Sequence, residues 1–281
     1  MNVEQFLEQL GEWARGRADV RGAFVLGSQA RTDVPADEFS DVDVVLVVAE
    51  AAPYTDSADW LEAFGRPLLT FLEPTPVGGL IERRVLFDSG LEVDFTLLPE
   101  PSLGAVLGDS DAMGILRRGY RIVYDEVGLE RDLGGLNPSV DAPLDAARLA
   151  QLANDFWYHA LWAAKKLRRG ELYVAKQACD GYLKALLVEL LATDARESGR
   201  EPWHRGRFLE RWAEPHDLAE LSETYAVYDA PDIARAIKAT ASMFKRLEAE
   251  VSDRRGLEPF VDHDEVERQL EALLDPVAEW E

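Results

Sequence analysis

The sequence has little cysteine, no long apolar run and a deficit of positive charge. Cys179 is the only cysteine among 281 residues, which excludes an internal disulfide and predicts a reducing, cytoplasmic location. No apolar run approaches the roughly 18 residues of a membrane-spanning helix, so we expect no membrane partner. The opening residues lack a basic segment followed by an apolar one, and we therefore expect no signal peptide.

Acidic residues strongly outnumber basic ones. The chain has 53 Asp and Glu against 30 Lys and Arg, a formal net charge of −23. Proteins that bind nucleic acid usually carry a basic stripe, so we expect no nucleic-acid partner. A negative surface attracts cationic small molecules, although high charge also serves solubility alone. The length and the 47% of apolar residues predict a soluble globular protein, which we expect to be a monomer or a weak homo-oligomer.

The first half of the chain predicts an α+β domain. Apolar residues at helical spacing between Val3 and Trp13 predict an opening helix. Short apolar or alternating runs predict strands at 22–26, 43–49, 68–72, 83–87, 91–98 and 121–124. Residues 57–64 predict a short helix with Ser57 as its N-cap, and residues 88–90 predict a hairpin turn. These elements indicate a mixed β-sheet flanked by helices.

The second half of the chain predicts an α-helical bundle. Turn-forming residues at 133–143 mark a boundary, which gives a domain at 1–136 and another at 137–281. Apolar residues then recur at helical spacing in three segments, 149–167, 172–190 and 233–247. Long amphipathic helices of this kind bury their apolar faces against one another. The predicted fold class is therefore α+β, with a sheet domain followed by a helical one.

A Gly-Ser turn follows the first predicted strand. Gly27 would let the backbone approach a phosphate without a Cβ in the way, and Ser28 offers a hydroxyl and a backbone N–H as donors. Arg31 could add charge-assisted hydrogen bonds to the same group. Taken alone, such a pair is more often a plain turn. The acidic residues that follow it favour the phosphate-binding interpretation.

Three aspartates lie at two of the predicted strands. Asp41 and Asp43 are two positions apart at the start of a strand, so both carboxylates point to one face. Asp94 lies inside another strand, between Val93 and Phe95. An unpaired carboxylate is unfavourable in a buried strand, and such groups usually bind a cation. Carboxylate oxygens are typical Mg²⁺ ligands, so the set predicts a magnesium site for phosphoryl-type transfer.

The roles within this acidic set remain open. Asp94 could be the base that accepts a proton from a hydroxyl nucleophile, or only a metal ligand. Glu92 lies two residues earlier on the same strand face and is a less favoured base. All three aspartates are therefore candidate catalytic residues as well as candidate metal ligands.

Cations and acids of the helical half are weaker candidates. Lys165 and Lys184 could contact a triphosphate, although the ordinary interpretation is a solvated helix face, with Lys184 paired to Asp180. Asp155 and Glu171 could bind a cationic substrate, but each is more often ordinary surface. Trp162 is more readily explained by packing than by stacking on a ligand.

The motifs resemble those of the aminoglycoside 6-adenylyltransferases, also called streptomycin adenylyltransferases, of the polymerase-β-like nucleotidyltransferase superfamily. The segments that carry the resemblance are 27–28, 37–43 and 93–99. It extends over most of the chain through 59–61, 64–65, 155–157 and Lys165. It implies a nucleotidyltransferase domain followed by a helical substrate- and nucleotide-binding domain. It also implies transfer of AMP from Mg-ATP to a streptomycin hydroxyl, with release of pyrophosphate.

The resemblance also implies roles for individual residues. Ser28 would contact phosphate, and Lys165 would lie near the triphosphate. Asp41, Asp43 and Asp94 would carry metal binding and catalysis. The chain departs from the family at Gln29, where an arginine is frequent.

Two further interpretations stay open beside ATP-dependent adenylylation of an aminoglycoside. A nucleotidyltransferase could use another acceptor, such as a lincosamide, another metabolite, a protein or a tRNA. A nucleotide-binding regulatory protein could lack catalysis altogether, although the presence of all three acids disfavours this. The expected partners are ATP and a cationic small-molecule acceptor, with Mg²⁺ as the cofactor.

Overall fold

The chain divides into two compact units. The computed structural model describes residues 2–31, 36–75, 78–136 and 144–278. The units span Met1–Asp141 and Ala142–Glu281. The predicted boundary after residue 136 adjoins residues 137–143, which lie outside the described residues, so its position stays a prediction. Within the described ranges, no helix is both long enough and apolar enough to cross a membrane.

The described elements confirm a sheet unit followed by a helical unit. The strands are β1 Val20–Leu26, β2 Val42–Val48, β3 Pro67–Pro74, β4 Ile81–Phe87, β5 Glu92–Pro99 and β6 Arg121–Asp125. The helices of the first unit are α1 Val3–Arg15, α2 Ala52–Asp56, α3 Leu103–Gly108, α4 Ser110–Leu116 and α5 Leu129–Leu133. Those of the second are α6 Ala146–Arg168, α7 Leu172–Gln177, α8 Lys184–Glu197, α9 Leu209–Trp212, α10 Pro215–Glu223, α11 Ala230–Arg255 and α12 His263–Ala278.

The strands form one mixed sheet in the order β3-β4-β5-β2-β1-β6. β2 and β5 are parallel, whereas the other neighbouring strands are antiparallel. β4 and β5 form the predicted hairpin, in which the Phe87 N–H donates to Leu91 O at 2.9 Å and Gly90 adopts a φ of +83°. The parallel pair at the centre places the beginnings of β2 and β5 side by side.

Alternation along β2 divides the core of the first unit between the two sheet faces. Val42, Val44 and Leu46 pack into a cluster with α1 and the aromatic residues Tyr54 and Phe64. On the opposite face, Val45 belongs to a second cluster that includes residues of α3, α4 and α5. Side chains two positions apart share a face, so Asp41 and Asp43 lie on the same side as Val45. The predicted acids therefore project from the face that α3–α5 cover.

The predicted helix at 57–64 is wrong in its position. Residues 52–56 form α2, which has Pro53 in its first turn, and residues 59–63 form a separate 3₁₀ turn. Ser57 is extended between them, with φ −126° and ψ 151°. Its hydroxyl accepts the Asp59 N–H at 3.0 Å, so it fixes a turn rather than capping an α-helix.

The helical unit confirms the predicted long helices and adds others. Phe156 of α6 stacks on Phe244 of α11 with the ring centroids 3.7 Å apart, at the centre of a large apolar cluster. The predicted helix at 172–190 is divided, because residues 178–183 form a π-helical segment between α7 and α8. Such segments are rare, and they occur frequently at functional sites.

Candidate active site

The central parallel strands bring the three predicted aspartates together. Asp43 of β2 is the register partner of Asp94 of β5, and Asp41 lies two residues before Asp43. One carboxylate oxygen from each of the three lies within 4.8 Å of the others. Asp94 is 9% exposed, and the other two are partly buried. This separation suits carboxylates that share a cation.

Gly27 lies directly against the Asp43 carboxylate. The residue adopts a φ of +65°, a conformation that side chains rarely take. A Cβ added to Gly27 would stand 2.0 Å from Asp43 Oδ2, well inside van der Waals contact. The position therefore needs glycine for two independent reasons, its backbone conformation and the proximity of the acid.

The Gly-Ser turn is tied to the acidic segment as well. Residues 27–29 form a short 3₁₀ turn directly after β1. Ser28 Oγ and Gln29 Nε2 each donate to the Asp41 carbonyl oxygen at 3.4 Å. The positive charge of Arg31 counteracts the rise in the pKa of Asp43. The structure thus places Gly27, Ser28 and Arg31 beside the aspartates, while their contact with phosphate stays a prediction.

The structure adds two residues that the sequence interpretation missed, Glu82 and Arg84 of β4. Arg84 is the register partner of Asp94, and its Nη2 lies 3.4 Å from Asp94 Oδ2. Its Nε contacts Glu82 Oε1 at 2.9 Å and Glu73 Oε1 at 2.8 Å. The predicted hairpin turn could have revealed that Arg84 lies opposite Asp94. Pairing Phe87 with residue 91 fixes the register of the two strands and brings residue 84 opposite residue 94.

Burial and repulsion by neighbouring carboxylates raise the pKa values of Asp43, Asp94 and Glu82. Burial is the largest cause for Asp43, whose pKa rises to about 6 with contributions from Asp41 and Glu82. Burial also dominates for Asp94, whose pKa rises to about 7 against the opposing charge of Arg84. The pKa of Glu82 is raised by burial too. A cluster with this surplus of acids favours a bound cation over the empty site.

A small cavity of about 200 Å³ opens beside the acids. Its polar lining includes Asp43 and Glu82, and its apolar lining includes Phe24, Val45, Leu80 and Leu116. An apolar recess next to buried carboxylates limits their solvation, which is consistent with the burial that raises their pKa values.

The two predicted lysines occupy different environments in the helical unit. Lys165 is exposed on α6 and makes no ion pair with any described residue. Lys184 is 4% exposed, and its Nζ donates to Thr240 Oγ1 at 2.7 Å and to Cys179 O at 3.1 Å. Asp180 pairs with Lys176, so the expected pairing of Lys184 with Asp180 is wrong. The burial of Lys184 weighs against a phosphate contact, and that role stays a prediction for both lysines.

The chain is similar to known proteins over most of its length. A family model described as streptomycin adenylyltransferase matches residues 1–271. The aminoglycoside 6-adenylyltransferase of Bacillus subtilis (strain 168) is 20% identical over 89% of this chain and 90% of its own length. The enzyme of that name from Campylobacter jejuni is 22% identical over 83% of this chain and 82% of its own.

A crystal structure of an aminoglycoside 6-adenyltransferase from Bacillus subtilis covers 97% of this chain and 99% of its own, with 18% identity and a TM-score of 0.46. The family model spans nearly the whole chain, and the acidic triad is typical of the metal site in polymerase-β-like nucleotidyltransferases. The chain therefore belongs to the streptomycin adenylyltransferase family and is a nucleotidyltransferase of the aminoglycoside adenylyltransferase type.

Proposed function

We propose that the protein transfers AMP from Mg-ATP to a hydroxyl of streptomycin and releases pyrophosphate. The observation that carries the proposal is the triad of Asp41, Asp43 and Asp94, whose oxygens lie within 4.8 Å in a chain of this family. The two relatives are named aminoglycoside 6-adenylyltransferases, which supports an aminoglycoside acceptor. The net charge of −23 supports a cationic one.

The chemistry of the donor set fits magnesium. All three groups are carboxylates, the hard oxygen ligands that Mg²⁺ prefers, and no thiol or imidazole belongs to this described cluster. When bound, the metal neutralises phosphate charge and orients the reacting oxygens for in-line displacement. Asp41 and Asp43 point into the site from the start of β2, so they are suited to hold it.

Asp94 is suited to accept the proton of the acceptor hydroxyl. Its carboxylate lies beside those of Asp41 and Asp43, and in the metal-free site burial raises its pKa to about 7, above the value of about 6 for Asp43, so it accepts a proton more readily than Asp43 does. Arg84 contacts Asp94 Oδ2 at 3.4 Å and so orients the carboxylate. We assign the base role to Asp94 and an orienting role to Arg84.

Phosphate recognition is assigned to the turn that follows β1. Gly27 gives the backbone close access to the acids, and Ser28 and Arg31 supply donors and positive charge there. Lys165 is an exposed cation of α6, and we assign it to the triphosphate. Lys184 is a weaker candidate because its ammonium group already has partners in the helical core.

Pyrophosphate release from Mg-ATP tests this function. Purified protein would be incubated with streptomycin, other aminoglycosides and lincosamides, and the product would be identified by mass spectrometry. We expect streptomycin-dependent release that Asp43→Asn abolishes. Asp88→Asn is the matched control, because Asp88 is exposed in the hairpin turn and pairs with Arg66 outside the site.

Two outcomes would contradict the proposal. Release with a lincosamide but not with streptomycin would retain the chemistry and replace the acceptor. Tight binding of Mg-ATP without release in the presence of any of these antibiotics would reject an antibiotic-modifying function.

A further inference from the structure

The helical unit contains an open pocket with a volume of about 630 Å³. We call it the aromatic pocket. It is lined by Tyr158, His159, Trp162, Tyr173, Val174, Gln177, Ala178 and Tyr182. Its volume falls within the range that small-molecule sites usually have. The aromatic residues are unusually exposed for their size, with Tyr158 and Tyr173 at 67% and 64%.

One carboxylate is held at this pocket by two of its lining residues. The Tyr182 hydroxyl lies 3.0 Å from both oxygens of Asp155, to which it donates. His159 Nδ1 lies 2.7 Å from Asp155 Oδ1, and the His159 and Tyr182 rings are 4.4 Å apart. Asp155 is therefore fixed in orientation while its side chain remains about one-third exposed.

The backbone beside the pocket is specialised as well. Ala178 and Tyr182 belong to the π-helical segment 178–183, which changes the direction in which side chains leave the helix. The hydroxyls of Tyr158 and Tyr173 and the amide of Gln177 make no hydrogen bond to the described residues. The pocket thus offers aromatic faces, one oriented carboxylate and several uncommitted polar groups.

This combination suits an organic cation with a flat charged group. Aromatic faces attract cations, and a guanidinium both stacks on rings and forms paired hydrogen bonds with a carboxylate. Trp162 already shows this affinity, because Lys166 Nζ lies 5.2 Å from the centre of its ring. Glu171 Oε2 lies 3.0 Å from the Lys166 ammonium group and pairs with it, so the positive charge of Lys166 repels an incoming cation only weakly.

We propose that the aromatic pocket binds the guanidinium-bearing part of a streptomycin-type aminoglycoside, with Asp155 as its anion. The proposal rests on the proposed function, which supplies the ligand class. It selects guanidinium-bearing aminoglycosides over those that carry only ammonium groups. It also gives Trp162 a ligand-stacking role in place of simple packing.

Isothermal titration calorimetry on the full chain tests the pocket. Streptomycin would be titrated with and without Mg²⁺ and a non-hydrolysable ATP analogue, and kanamycin would serve as an ammonium-only comparison. We expect streptomycin affinity to fall about tenfold or more in Asp155→Asn. Tyr173→Ala should weaken it about fivefold, because the ring is exposed and its loss leaves the fold intact.

Tyr228→Ala is the matched control, because Tyr228 is 63% exposed on the same unit and does not line the pocket. It should bind streptomycin as the unmodified protein does. Unchanged streptomycin affinity in both pocket variants would overturn the proposal, and so would equal affinity for kanamycin. A loss of ATP affinity instead of streptomycin affinity would also overturn it.

The two proposals fail in distinguishable ways. Streptomycin-dependent pyrophosphate release that the pocket variants leave unchanged would reject the pocket and retain the function. Streptomycin binding that needs Asp155, without any pyrophosphate release, would retain the pocket and reject the function. Asp43→Asn should lose transfer while keeping streptomycin affinity, which separates chemistry from acceptor binding.

Discussion

Buried acids meet different neighbours in the two units. In the sheet unit, Asp43, Asp94 and Glu82 lie together, and Arg84 contacts two of them. In the helical unit, Asp217 is 1% exposed and lies 2.6 Å from Arg246 Nη2.

The same pairing recurs elsewhere in the helical unit. Asp194 is 5% exposed and contacts both Arg200 and Arg254. An acid that is buried with its own cation is a structural element, because the pair is complete without a ligand. Acids that are buried with too few cations are unfavourable unless something else binds them. Asp194 and Asp217 each have an arginine at ion-pair distance, whereas Asp43 has none among the described residues, and this contrast separates the candidate metal site from these two ion pairs of the helical unit.

The largest effect is expected from Asp43→Asn. Removing one of the three clustered carboxylates should lower AMP transfer by roughly 10³-fold or more, because metal-assisted charge stabilisation is worth several kcal/mol. The thermal midpoint should stay equal or rise, because the substitution removes a buried carboxylate with a raised pKa. Steady-state kinetics and calorimetric unfolding would measure the two quantities. A large fall in stability would place Asp43 with the structural acids instead.

Gly27→Ala should separate crowding from backbone strain. Its Cβ would meet Asp43 Oδ2 at 2.0 Å, so the carboxylate must move. A displacement of this kind costs roughly 100-fold in rate. Gly90→Ala is the matched control, because Gly90 also has a positive φ, +83°, with nothing within 4 Å of the new Cβ. That variant should lose only about 1 kcal/mol of stability and keep transfer. Equal losses of activity would show that strain alone is responsible.

Asp217→Asn should have the opposite pattern to Asp43→Asn. Loss of the buried partner of Arg246 should lower the free energy of unfolding by about 2 kcal/mol, with little change in the kcat of the folded enzyme. Asp275→Asn is the control, because its pair with Lys238 is exposed and should contribute less than about 1 kcal/mol. Chemical denaturation would compare them. A neutral effect of Asp217→Asn would remove the proposed structural role.

The smallest effect is the pH dependence of magnesium stabilisation. The pKa values of Asp43 and Asp94 are raised to about 6 and about 7, so their neutral forms stabilise the metal-free fold at low pH. This contribution is lost as the pH rises through those values, and the ionised forms then favour Mg²⁺. Adding Mg²⁺ should raise the thermal midpoint at both pH values, and the rise should be larger near pH 8 than near pH 5.5 by roughly a few degrees. Equal shifts at the two pH values would argue against ionisation of these acids on binding.

Much of the fold could be predicted because its elements are strongly patterned. The alternating and apolar runs predicted all six strands that the structure describes, and the spacing of apolar residues predicted α1, α6 and α11. The short helices α3, α4 and α5 were not predicted, because five to seven residues carry too little periodicity to identify a helix. Ser57 was wrongly predicted to be an N-cap, because a serine that begins a serine/threonine turn has the same local signature as an N-cap.

The candidate site could be predicted only where neighbours in sequence define it. Asp41 and Asp43 share a face through strand alternation alone, and Asp94 joins them through a parallel pairing that the local pattern does not specify. Arg84 required the register of a hairpin. The burial of Lys184 depended on the packing of α8 against α11, which the charge pattern of one helix does not reveal.

Divalent-cation binding tests the distinction between the two kinds of buried acid most directly. Mn²⁺ would be titrated into the full chain and followed by electron paramagnetic resonance, with Asp43→Asn and Asp94→Asn beside Asp194→Asn and Asp217→Asn. We predict that the unmodified protein binds Mn²⁺, that the first two variants lose it, and that the last two retain it when folded. Undiminished binding in Asp43→Asn and Asp94→Asn would contradict the assignment of the acidic triad as the metal site.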